Sequence, residues 1–128
     1  MKIITTTLTF ALLLTTSTFA NAIEITSDMT AEAKVATKQV NVILAKCQKK
    51  LKLGKLNRYQ QCAFPDIQKL AIQGNFAAQY QLAEWADFEG HHKEAMQWLQ
   101  KGNDNPSTPE AVKSSYERRL QELQQFEQ

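Results

Sequence analysis

Apolar positions recur along this chain at three- and four-residue steps, the spacing of one face of an α-helix. Ala33, Ala36, Val40, Ile43, Leu44, Cys47 and Leu51 predict a long helix over 29–53, with Ser27 or Asp28 as its cap and Gly54 as its stop. Valines at 35, 40 and 42 lower the intrinsic propensity slightly, and the periodicity outweighs them. Short helices follow over 56–74. The first covers 56–64, Pro65 ends it or opens the next, and Ile67, Leu70 and Ala71 carry the apolar face up to Gly74. A hairpin occupies 76–102. Ala78, Leu82, Ala83, Trp85 and Ala86 line its first arm, Gly90 breaks it, and Ala95, Trp98 and Leu99 line the second arm, which Gly102 closes. Small residues let the two arms approach, while Trp85 and Trp98 fill the space beyond them. After a polar turn, a last helix is expected over 108–126, striped by Val112, Tyr116, Leu120, Leu123 and Phe126. Ser107 and Glu110 have capping-box spacing, and Thr108 before Pro109 is an equally good start. The expected class is all-α, with about five helices.

The hairpin residues resemble a tetratricopeptide repeat and its near relative, the Sel1-like repeat. The resemblance rests on the large-small pair Leu82-Ala83, the small Ala86, the turn Gly90, then Ala95, Leu99, Gly102 and a following Pro106. The Ala95–Trp98 step and Gly102 are the more Sel1-like features. Ala83 stands where Gly is usual, and the longer Gly-containing turn of Sel1-like repeats is absent. One repeat, roughly a quarter of the chain, carries the likeness. An internal echo supports it: Ala71-Ile72-Gln73-Gly74-Asn75 parallels Leu99-Gln100-Lys101-Gly102-Asn103, 28 residues later. The resemblance implies a short stack of antiparallel helical hairpins, a scaffold that binds other proteins rather than a catalyst. The amphipathic last helix would cover the end of the stack, as short solenoids require. A coiled-coil dimer through it has fewer than three clean heptads in its favour.

Residues 1–22 change the picture of where the chain acts. A basic start at Lys2, an apolar run over 8–14 and the small-x-small sequence Ala20-Asn21-Ala22 form the pattern of a secretory signal peptide, cleaved after Ala22. The apolar run is too short for a comfortable membrane span. No Cys follows the cleavage point to accept a lipid, and no second apolar span occurs. The expected product is one small periplasmic domain over 23–128, with no transmembrane segment and an undetermined oligomeric state.

The formal net charge of +2 conceals an asymmetry. Residues 34–69 hold nine basic side chains and one acid, Asp66, whereas 70–128 hold five basic side chains and nine acids. Lys46, Lys49, Lys50, Lys52, Lys55 and Arg58 crowd the end of the long helix and the turn after it. Positive charge at a helix C-terminus is locally favourable, which is one explanation. A docking patch for an acidic partner, a protein or an anionic polymer, is the other. Nucleic acid is not expected: the leader removes the chain from it, and no zinc-finger or aromatic-stacking pattern accompanies the lysines.

Cys47 and Cys62 are the only cysteines. An even count in an exported chain predicts a disulfide, tying the long helix to the next across the basic loop. Redox catalysis would want a C-x-x-C. His91 and His92 are adjacent, so on a helix they point about 100° apart and do not make the i,i+4 pair of a helical zinc site. Asp87, four residues before His91, could supply a carboxylate near it, too few ligands for a metal site. Glu84, Asp87 and Glu89 read as a solvated acidic face rather than a glycosidase pair. No H-E-x-x-H, phosphate loop or G-x-S-x-G occurs. The expectation is a protein without catalytic residues, metal or cofactor. It would act on another envelope or secreted protein, either as an interaction module or scaffold or, alternatively, as a small inhibitor or immunity protein against a toxin or wall-degrading enzyme.

Overall fold

The structure, a computed structural model, describes residues 23–127, apart from the side chain of Glu127; the expected leader lies outside the described residues. Five α-helices follow one another: α1 (Ala31–Lys52), α2 (Leu56–Ile72), α3 (Phe76–Phe88), α4 (His92–Asp104) and α5 (Glu110–Gln124), the last ending in a 3₁₀ turn, Gln125–Glu127. Each helix packs on the next, and α1 also reaches α3. The result is an all-α arrangement of sequential helix pairs with one disulfide. No helix among the described residues is long and apolar enough to cross a membrane.

The centre of the molecule is α3. Phe76, Ala77, Ala78, Leu82, Ala83, Trp85 and Ala86 are all buried, together with Gln79 and Gln81. A helix apolar on nearly every side must be covered on every side, and α1, α2 and α4 pack on it. Its alanines allow close approach, while the aromatic rings set the spacing. Trp85 meets Tyr59 of α2 edge-on at 6.4 Å, and Tyr80 meets Tyr116 of α5 at 5.4 Å. Burial pushes the Tyr59 hydroxyl up to about 12 and raises that of Tyr116 as well.

Three turns share one device. Gly54, Gly74 and Gly90 have φ of 73°, 96° and 82°, and each sits just past a helix end. In each, the following amide reaches back to close the helix: Lys55 to Lys50, Asn75 to Leu70 and His91 to Ala86. Gly102 departs from the expectation. It does not end a helix by its conformation; α4 continues to Asp104, and Gly102 is buried against Tyr116. A Cβ there would lie 2.3 Å from the Tyr116 ring. The Gly74 and Gly102 echo in sequence therefore marks two different structural roles: one glycine turns the chain, the other makes room for a ring.

Three further expectations are corrected. Pro65 neither ends nor opens a helix: α2 is a single helix through it. Proline costs an internal hydrogen bond to residue 61, but Gln61 and Pro65 both lie on the exposed side, while Ala63 and Ile67 hold the buried side in register. The last helix begins at Glu110 after Pro109, without a capping box. Thr108 is instead buried, and its hydroxyl donates to the carbonyl oxygen of Gly102 at 2.6 Å. At the start of α1, Thr30 rather than Ser27 or Asp28 accepts the capping bond, from the Ala33 amide at 3.1 Å.

Asparagines join the layers. Asn75 caps α3 by accepting from the Ala78 amide, and its amide group donates to the Ala36 carbonyl and to Gln39 on α1. Asn105 donates to the Gly74 carbonyl at 2.7 Å and to Gln79, which in turn donates to the Ala71 carbonyl. The Tyr116 hydroxyl donates to the Phe76 carbonyl at 2.6 Å. Buried polar groups so satisfied fix one arrangement of the helices rather than a range of them.

Candidate functional site

The basic tip lies where α1 ends and α2 begins. Lys46, Lys49, Lys50, Lys52, Lys55 and Arg58 are all exposed. Cys47 and Cys62 form a disulfide with Cα atoms 5.8 Å apart, closing a loop over a separation of 15 residues. Cys47 is buried, so the bond anchors the tip to the core from its inner side. None of the six cations makes a salt bridge to a carboxylate among the described residues. Leu53 stands exposed among them.

The two halves of the tip differ energetically. Lys49, Lys50 and Lys52 occupy the last turn of α1, where the helix dipole favours them. Lys55 occupies the N-cap of α2 and Arg58 its first turn, where positive charge is unfavourable. Lys55 makes no side-chain capping bond, and that turn contains no acid. Helix energetics thus explain three of the cations and run against two.

The hairpin residues separate by role. Ala78, Leu82, Ala83, Trp85, Ala86, Ala95, Leu99 and Gly102 are buried. Gly90 is the exposed turn. Trp98 is only half buried: it packs on the edge of the core, and Lys101 Nζ lies 5.1 Å from its ring centroid. The edge of Trp85 also floors a cleft of about 330 Å³ with Leu82, Ala86, Phe64 and Pro65. Its polar lining is three side-chain amides (Asn57, Gln60, Gln61) and two carboxylates, Glu89 and Glu94, with no hydroxyl, thiol or imidazole.

One polar cluster was not legible in the expected pairing. Asp87 bonds to His92, not His91, at 3.1 Å, and its other oxygen bonds to Arg119 of α5. Arg119 also donates to Glu122 at 2.7 Å, and the His92 ring stacks on Phe126 at 4.8 Å. The Gly90 turn directs residue 92 back over the end of α3 and leaves His91 exposed between Glu89 and Glu94. The cluster clamps α3, α4 and α5 together. Among the described residues no three His, Cys, Asp or Glu side chains converge on a metal position.

Beside the clamp, Glu84 is half buried, and desolvation raises its pKa above the ordinary 4.5 although Arg119 and the Tyr80 hydroxyl pull it down. The folded state therefore binds the proton more tightly than the unfolded chain. Stability falls as pH rises through the window that opens at 4.5. Glu84→Gln removes this titration, so the variant should gain on the wild type between pH 4 and pH 7 in paired thermal melts. A wild type that gains on the variant over that interval contradicts the burial argument.

No protein family, curated protein or solved structure matches this chain.

Proposed function

We propose that this chain is a non-catalytic protein-interaction module, exported to the periplasm with cleavage of its leader after Ala22, that docks on an acidic surface of another envelope protein. On this reading its helices are a short stack of the tetratricopeptide or Sel1-like kind, with the 76–102 hairpin as the best-formed repeat. The observation that carries the proposal is the tip. Six cations without carboxylate partners among the described residues crowd a tip pinned by a disulfide, two of them where a helix start disfavours positive charge. A solvated surface would gain stability by replacing those two; a binding surface has a reason to keep them. Rigidity lowers the ordering cost of association, and uncompensated charge speeds encounter with an acidic partner.

The test is affinity capture from periplasmic extract with wild type and with K49E/K50E/K52E. The expected result is a defined envelope protein captured by the wild type and lost by the triple variant, with the loss deepening at low salt. The reversal also costs about 0.3–1 kcal/mol per residue at the α1 terminus, so melting curves must accompany it. Equal capture by both proteins removes the tip from the account. A second reading, an inhibitor or immunity protein, is favoured by Leu53 standing among the lysines on the pinned loop. Tight one-to-one capture of a hydrolase or toxin would select it.

A further inference from the structure

We propose that the outward face of the α1–α2 hairpin is a docking groove for one amphipathic helix of a different protein, whose apolar stripe is bordered by carboxylates. The inference rests on the interaction-module reading and gives the partner its shape and chemistry.

The hairpin of two antiparallel helices offers a groove on each side. The inner one is filled by α3, which packs on both α1 and α2. The outer one is open. Val35, Val42 and Ile43 of α1 and Leu70 of α2 line a depression of about 620 Å³ there. Val35 and Val42 are each 58% exposed. Two valines one heptad apart, facing solvent beside a leucine on the neighbouring helix, form a row rather than a scatter of single apolar residues.

The same face of α1 runs on to the basic tip. At 100° per residue, Val35, Lys38, Val42, Lys46 and Lys49 fall within a sector of about 80°. All five are exposed. Lys38 and Lys69 border the groove, against the single acid Asp66. An apolar stripe with basic edges selects a helix with acidic edges. A ligand helix lying in the groove would carry its acidic flank toward the tip, joining both surfaces in one interface.

Other occupants fit less well. Two copies meeting through this face would oppose lysine to lysine. The far end of the molecule offers no matching stripe, because the exposed positions of α5 include Glu110, Ser114, Glu117, Arg118 and Gln121. A bilayer favours a convex amphipathic face, whereas this one is recessed between two helices.

The test is fluorescence anisotropy with the whole protein and two synthetic amphipathic helices sharing one leucine stripe, one flanked by Glu and the other by Lys. The Glu-flanked peptide should bind one to one, at least tenfold more tightly than the Lys-flanked peptide. Val42→Glu should weaken it at least tenfold without changing the melting curve, since the site is exposed. Ser114→Glu, on the polar face of α5, should change nothing. Equal affinity for the two peptides, or unchanged affinity in Val42→Glu, overturns the groove. So does binding of phosphatidylglycerol vesicles, or a dimer in sedimentation, that Val42→Glu abolishes while the peptides fail to bind. If the peptides fail yet K49E/K50E/K52E still loses its captured partner, the groove is wrong and the interaction-module reading stands.

Discussion

Gly102→Val will destabilise the protein by about 3 kcal/mol, and Gly102→Ala will destabilise it too, although Ala has the higher helix propensity and restricts the unfolded chain more than Gly does. Gly102 lies inside α4 with a buried ring against its Cα. A Cβ 2.3 Å from the Tyr116 ring cannot be accommodated without moving that ring. The ring is not free to move: it is fully buried, its hydroxyl is bonded to the Phe76 carbonyl, and Tyr80 packs on it in an edge-type contact. Ala in place of Gly gains about 1 kcal/mol of helix propensity, while overpacking of this severity costs about 3 kcal/mol. The net sign is thus the informative quantity. At about 5 °C per kcal/mol for a domain of this size, Gly102→Ala should lower the melting temperature by roughly 10 °C. A Tyr116→Leu background should relieve part of that loss, because the two residues are in contact and their effects do not add. An increase in melting temperature for Gly102→Ala would mean that the ring moves aside at little cost.

Reducing the disulfide, or replacing both cysteines as C47A/C62A, should cost about 3 kcal/mol, the loop-closure value for a loop of this length. The separation of 15 residues encloses five of the six tip cations, all but Lys46. Exposed Cys62 makes the bond accessible to reductant, whereas Cys47 is buried at its other end. Thermal melts with and without dithiothreitol measure the loss directly. The tip should suffer more than the rest of the fold, because α3, α4 and α5 keep their contacts and the Asn75 and Asn105 bonds. Hydrogen exchange should therefore rise first in 48–58. Uniform exchange across all five helices on reduction would show that the bond supports the whole domain instead of the tip.

The helices themselves were legible because burial imposes a period that the sequence displays openly. Ala33, Val40, Leu44 and Cys47 mark the inner face of α1, and Tyr116 and Leu123 that of α5. What escaped was whatever depends on contacts distant in sequence. A glycine reads as a stop, and Gly54, Gly74 and Gly90 are stops with positive φ; nothing local distinguishes them from Gly102, whose reason lies on another helix. Proline reads as a boundary, yet Pro65 is tolerated where its lost hydrogen bond faces solvent. Helical spacing pairs Asp87 with His91, four residues on, but the chain turns at Gly90 and brings His92 back instead. The basic tip was visible as a run of lysines. Its division into favoured and disfavoured halves required knowing that α2 starts at Leu56 with Lys55 as an uncapped N-cap. The groove beside it went unread because Val35 and Val42 fall off the apolar stripe of α1, and only the packing of α2 beside them turns two stray valines into the wall of a depression.

Those two disfavoured charges provide the most direct test of the proposed role. Lys55→Asp with Arg58→Glu places a capping side chain at the start of α2 and an acid at its third position, the arrangement helix starts prefer. The account predicts a protein more stable by about 1 kcal/mol that no longer captures its envelope partner. The measurement is a paired one, melting temperature and partner affinity for the double variant against wild type. A rise in melting temperature with affinity reduced at least tenfold is the expected result; a rise with affinity unchanged would contradict the claim that the tip is a docking surface.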